Sequence, residues 1–145
     1  STAASDLYKR QSELSTMYKK IKKDNFDFVF GSRYLKNASS EDDTIITFVG
    51  NKIFSFIGKV FFSLPISDIL YTFVMGNSKI AKSLNLKEKS FSFCIELPII
   101  AKRSGYNLIS IPSNERSRLA EQKKVNAFRD GLKILISMIK IYFKS

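Results

Sequence analysis

The stretch that most limits what this chain can fold into is FDFVFGSRY, residues 26 to 34. Phe26, Phe28 and Phe30 alternate with Asp27 and Val29, so the run reads as a mostly buried strand, and Gly31 reads as the turn residue that closes it. A helical pattern leads into it: Leu14, Met17, Tyr18 and Ile21 recur at helix spacing between Ser12, a candidate N-cap, and Lys23. The alternation of helix and strand then continues. Residues 34 to 43 are polar and loop-like. Thr44 or Asp43 caps a long helix carrying Ile45, Phe48, Val49, Ile53, Phe56, Ile57 and Val60, apolar around much of its circumference and ending before SLPIS. DILYTFVMG reads as a strand, followed by a short helix near Ser78 to Leu84. Phe91 to Ser104 reads as a helix despite Pro98, with Gly105 placed as its C-cap. YNLISIP is a strand, SNERSRLAEQKK a loop, and Val125 to Phe143 a final helix. The expected class is α/β, in a single domain over residues 1–145.

Arg33 sits just past the carboxyl end of the first strand. In open α/β sheets ligands bind at that edge, and a planar guanidinium suits phosphate or carboxylate. The plain alternative is a surface arginine after a core strand.

Composition narrows the chemistry. The 145 residues include thirteen Phe but neither His nor Trp, which excludes an imidazole base, a histidine metal ligand and any Ser-His-Asp or Cys-His nucleophile. A single cysteine, Cys94 in the apolar context FCIEL, excludes an intrachain disulfide, fits a reducing compartment and is expected to pack in the core. The formal charge is +11, and residues 101 to 145 hold ten Lys or Arg against Glu115, Glu121 and Asp130. Such asymmetry points to a polyanionic partner: nucleic acid, phosphorylated lipid or nucleotide. The opening STAASDLYKRQ has no apolar signal core, and Lys52, Lys59 and Asp68 interrupt the apolar run from Thr44 to Met75, so membrane contact is expected at the interface only. In the last helix Lys133, Ser137, Lys140 and Lys144 form one strip beside a wide apolar face. That pattern suits either a headgroup region or core packing.

Several short motifs recur in a definite order: DFVFGSRY at 27 to 34, GNK at 50 to 52, PISD at 65 to 68, FSFCIEL at 91 to 97, GYNLISIPS at 105 to 113, ERSR at 115 to 118 and KKVNAFRDGLKIL at 123 to 135. In order and spacing, over roughly residues 6 to 140, they resemble the family 2 glycosyltransferases of the dolichyl-phosphate-mannose-synthase-like branch. The resemblance implies the C-terminal part of a GT-A, Rossmann-like transferase fold with an amphipathic C-terminal helix, lacking the N-terminal nucleotide-binding half. That half would end in an Asp-x-Asp metal motif. Only Asp6 of AASDLY matches its second carboxylate, with Ala4 in the first position. The resemblance therefore assigns Mg²⁺ or Mn²⁺ to the complete enzyme, and this chain alone is expected to bind none. Glu121 stands where the family has glycine in a phosphate-approaching loop.

By the same resemblance, Arg33 contacts a phosphate of the donor or of a lipid acceptor, and Arg116, Arg118, Lys123 and Lys124 form a basic loop that joins it or is simply solvated. Glu96 and Asp68 are the candidate acid or base; each has the alternative of a structural ion pair, since a carboxylate in apolar surroundings is costly unless paired. Glu115 orients neighbouring arginines, and Asp130 is a helix-surface residue. The implied partners are a nucleotide-sugar donor, a polyprenyl phosphate or glycan acceptor and an anionic membrane surface, with the protein peripheral at the cytoplasmic face. A rival class is a non-catalytic basic module for anionic lipid or nucleic acid. Nucleic acid is disfavoured because the Phe positions look buried rather than arrayed for stacking.

Overall fold

The computed structural model describes residues 2–116 and 126–144. In chain order these form α1 (Thr2–Lys22), β1 (Phe28–Ser32), β2 (Ser39–Ser40), α2 (Ile45–Phe62), β3 (Val74–Gly76), α3 (Ser78–Ser83), α4 (Phe91–Arg103), β4 (Leu108–Pro112), β5 (Asn114–Glu115) and α5 (Ala127–Phe143). The fold is α/β.

β1 is the centre. It is buried over all five of its residues, as a strand covered on both faces must be. β4 pairs with it in parallel, Phe28 opposite Leu108 through Ser32 opposite Pro112, and β3 pairs antiparallel on its other side. On one face Phe28 and Phe30 join Leu108, Ile95, Ile99, Ile134 and Met138 in the larger core, under α4 and α5. On the other, Val29 and Ile111 pack with Met17 of α1, with Ile21, Phe73 and Met75 around them. Period-two alternation of side chains sends neighbouring residues to opposite faces, and here each face has a helical cover.

Helix ends follow local chemistry. Thr44 caps α2 in a reciprocal box: its hydroxyl accepts the Thr47 N–H, and Thr47 Oγ1 accepts the Thr44 N–H at 2.8 Å. At the far end Ser63 turns left-handed with its N–H on the Gly58 carbonyl, and Pro65 follows. α4 tolerates Pro98 in its interior. It ends in a Schellman arrangement, with Tyr106 N–H bonding the Ala101 carbonyl and Gly105 N–H that of Lys102; Gly105 takes φ +84°, which suits a residue without Cβ.

Four local expectations are corrected. α1 begins at Thr2, not near Ser12, whose carbonyl instead accepts the Thr16 hydroxyl inside the helix. In DILYTFVMG only Val74–Gly76 is strand; Asp68 to Phe73 is irregular because its polar groups serve the β1 edge. The polar 34 to 43 loop includes the two-residue β2, which pairs in parallel with β5. Gly31 does not turn the chain. It lies inside β1, and a Cβ there would stand 2.8 Å from Phe73 Cδ1 and 3.1 Å from both Ser113 Cβ and Tyr71 Cε1. The glycine is demanded by a close approach of three neighbours, not by a left-handed backbone. Gly31→Ala is accordingly expected to destabilise the fold by about 1–3 kcal/mol through overpacking, seen as a lower urea midpoint with an unchanged slope.

Candidate functional site

Because β1 and β4 are parallel, the residues that follow them emerge at one edge of the sheet. Arg33 follows β1, and Ser113 to Arg116 follow β4. The basis of the site is Asp68, fully buried, which accepts three hydrogen bonds from the same residue: the Arg33 backbone N–H at 3.1 Å, Nε at 2.7 Å and Nη2 at 2.9 Å. This is the bidentate fork that guanidinium geometry favours. Nη1 donates to Glu115 at 3.0 Å and lies 3.5 Å from Asp43. The rings of Tyr71 and Tyr34 stand 4.8 Å and 5.3 Å from the guanidinium carbon, the distances of cation–π contacts.

The network extends in two directions. Toward α2, Tyr34 donates its phenol proton to Asp43 at 2.8 Å and accepts from the Asn51 amide at 2.9 Å. Toward α1, Arg10 bonds Glu13 and the Tyr71 hydroxyl, each at 3.2 Å, and lies over the Phe73 ring. Glu13 in turn accepts the Ser113 hydroxyl and the Asn114 N–H. At the outer rim Arg116 is paired with Asp6. Every buried polar side-chain atom among the described residues has a partner.

Electrostatics follow from that arrangement. Burial alone would lower the Arg33 pKa, but the hydrogen bonds and charge of Asp68, with Tyr34 and Glu115 behind them, outweigh it and hold the group charged more firmly than usual. Burial, then the bond to Asp43, raises the Tyr34 phenol above its ordinary 10.0, against the opposing charge of Arg33 and the bond from Asn51. Burial also pushes the Cys94 thiol above its ordinary pKa.

Two clefts open on the cluster. One of about 300 Å³ lies between Arg33, Tyr34, Ser40 and Asp43 and the start of α2 at Thr44, Ile45 and Phe48. The other, about 210 Å³, lies between α1 and β5, with Asp6, Arg10, Glu13, Glu115 and Arg116 on its walls. The second cleft does not fit a divalent ion. Asp6 is engaged by Arg116, Glu13 by Arg10 and Glu115 by Arg33, and no group of three metal-ligating side chains occurs among the described residues.

The site residues expected from sequence divide clearly. Arg33, Asp68, Glu115, Arg116 and Asp6 share one edge. Arg33 is not an open cation awaiting an anion, since carboxylates already surround it. Glu96 is elsewhere: its oxygens accept backbone N–H groups of Lys87 and Glu88 at 2.8 to 3.0 Å, so it ties down the loop before α4 instead of pairing with a basic side chain. Arg118, Lys123 and Lys124 lie outside the described residues. Sequence reasoning gave no site role to Arg10, Glu13, Tyr34, Asp43, Asn51 or Tyr71. Arg10 and Glu13 stand at i,i+3 spacing on one helix, a pairing common on helix surfaces, and Asp43 was considered only as a cap. Tyr34 and Asn51 did lie inside the quoted motifs GSRY and GNK, a signal that was available. Protein-family models, curated proteins and solved structures yield no match to this chain.

Two outcomes test the site. Asp68→Ala should cost about 3–5 kcal/mol in urea melts, because it removes three hydrogen bonds from a buried arginine and leaves the guanidinium only the contacts of Nη1 with Glu115 and Asp43. Tyr34 sets the alkaline behaviour. Its folded pKa lies above the unfolded one, so its contribution is complete below pH 10.0 and is lost as pH rises through the folded value. Absorbance titration should show one tyrosine ionising after the others, and Tyr34→Phe should remove that late phase.

Proposed function

We propose that the chain is the acceptor-side portion of a family 2 glycosyltransferase, working on a sugar transferred from a nucleotide-sugar donor to a polyprenyl phosphate or a glycan at the cytoplasmic membrane face, within a GT-A type fold. The observation that carries this reading is convergence. Arg33 of the GSRY motif, Asn51 of GNK, Asp68 of PISD and Glu115 of ERSR are far apart in sequence, yet hydrogen bonds and the Arg33–Asp43 ion pair link them at the carboxyl edge of parallel strands.

In this reading Asp68 is a positioning residue: its two oxygens hold Nε and Nη2 and leave Nη1 to Glu115 and Asp43. Glu115 is the exchangeable partner. Its side chain is 20% exposed where that of Asp68 is fully buried, so an incoming phosphate can replace it on Nη1 without unmaking the Asp68 fork. Charge stabilisation of a phosphate by a pre-aimed guanidinium is the catalytic contribution these residues supply. A lipid phosphate acceptor is already anionic and needs little base assistance, whereas a hydroxyl acceptor needs a general base.

A non-catalytic role as an anionic-lipid module is the second reading, and the exposed apolar surface of α2 and α5 favours it. Farnesyl phosphate and farnesol separate the two. The transferase reading expects farnesyl phosphate to bind at least about tenfold more tightly than farnesol, with that preference lost in Arg33→Lys, which keeps the charge but not the fork. Equal binding of both compounds, or a preference untouched by Arg33→Lys, overturns it.

A further inference from the structure

β3 closes one side of the three-stranded sheet, with β1 as its one neighbouring strand among the described residues. Its ladder to β1 extends from Phe73 to Asn77. Gly31 N–H bonds the Phe73 carbonyl at 2.7 Å, Asn77 N–H bonds the Asp27 carbonyl at 3.2 Å, and Val29 stands opposite Met75 between them. Antiparallel pairs alternate between hydrogen-bonded and non-bonded. Phe73, Met75 and Asn77 therefore turn their backbone groups toward β1, while Val74 and Gly76 turn theirs outward, where no partner meets them among the described residues. Sheet edges are normally guarded by lysine, proline or a bulge. Here residues 69 to 78, ILYTFVMGNS, hold no charge and no proline, and no bulge interrupts the register. The opposite edge differs: β4 ends in Pro112, which has no N–H to offer. The cores on both faces also stop short at β3. Val74, against the cluster of Phe28 and Phe30, and Met75, against that of Val29, are only half-buried, and Gly76 is exposed.

We propose that the open edge of β3 pairs antiparallel with the same edge of a second copy of this chain, joining the two sheets into one. The inference stands on the hydrogen bonding of the sheet and does not depend on the transferase reading. A two-fold axis at Met75 sets Val74 against Gly76 of the second copy, and Gly76 against its Val74. These are the residues of β3 whose N–H and C=O face outward, so each pair exchanges both of its bonds and no outward group of the strand is left over. The side chains agree with this register. The Phe28 ring occupies the space where Gly76 would carry a Cβ, so Val74 of the second copy packs beside that ring, and on the other face Met75 meets Met75. Charge permits the contact. The chain carries +11, yet the seam is uncharged from Ile69 to Ser78, so no like charges stand opposite each other across the strand pair. An unrelated strand would cover one molecule's edge, whereas self-pairing covers the edges of both at once. A seam this short lies at the small end of interface sizes, and the dimer is therefore reversible.

The test uses the whole chain. Sedimentation velocity is expected to show monomer at low concentration and a dimer that becomes substantial toward about 100 μM. Amide hydrogen exchange locates the contact: the Val74 and Gly76 N–H groups should slow by about fivefold or more over that rise, while the Met75 N–H, already turned to Val29, should not change. Met75→Cys in a Cys94→Ser background places two thiols at a non-bonded antiparallel position, about 4.5 Å apart at Cα and within reach of a disulfide. Mild oxidation should then give a covalent dimer. Phe56→Cys in the same background, on the exposed side of α2, should remain largely uncross-linked. A chain that stays monomeric throughout overturns the proposal. So does slow exchange of Val74 and Gly76 in the monomer, because the edge is then already covered. A dimer that leaves their exchange unchanged, or that cross-links through Phe56→Cys and not through Met75→Cys, assigns the contact to another surface and overturns it equally.

Discussion

The Arg33 to Asp68 fork is the interaction on which the rest of the edge depends. A buried charge pair is a weak source of net stability, because removing both ions from water costs several kcal/mol each before they attract. Its effect here is to hold elements in register. Asp68 grips both the backbone and the side chain of Arg33, so the segment after α2 is fastened to the end of β1. Glu115 then fastens the segment after β4, and Asp43 brings the start of α2 alongside. Removing either Arg33 or Asp68 would take away the main partner of a buried ion, and that penalty binds the two together.

Around this fork the charges form a graded series, from the fully buried Asp68, through the partly exposed Glu115, to the outer pair of Arg116 and Asp6. Low dielectric and tight geometry make the innermost pair permanent, while solvent makes the outer pairs exchangeable. The aromatic rings of Tyr34 and Tyr71 flanking the Arg33 guanidinium limit its remaining freedom.

α2 and α5 both carry more apolar surface than the core covers. A core helix presents its largest apolar residues inward, where they gain most from leaving water. α2 packs Phe54, Ile57 and Phe62 against the core around the buried Ser55 and Gly58, and leaves Ile45, Ile46, Val49, Ile53, Phe56 and Val60 exposed. The proximity of the Arg33 cleft to that face joins the polar and apolar features of the molecule into one surface.

Local signals in the sequence determined the elements themselves: the buried FVF run of β1, the Thr44 cap, the αL glycine at 105 and the strand in LISIP. Each depends on neighbours within one or two turns, so periodicity and capping chemistry suffice to read it. The site was legible only in part. That Arg33 stands beyond a strand end was readable, and so was the apolar character of α2 and α5. Which carboxylates surround Arg33 was decided by tertiary structure alone, because Asp68 and Glu115 lie 35 and 82 residues away and meet it only once β4 pairs in parallel with β1. Gly31 was read as a turn because a glycine's need for space depends on Phe73, Tyr71 and Ser113, which no local pattern reveals. The inward face of α2 was hidden for a related reason. Apolarity around most of a helix cannot tell which side packs, and the small residues that let Leu64 and Ile69 approach made that choice.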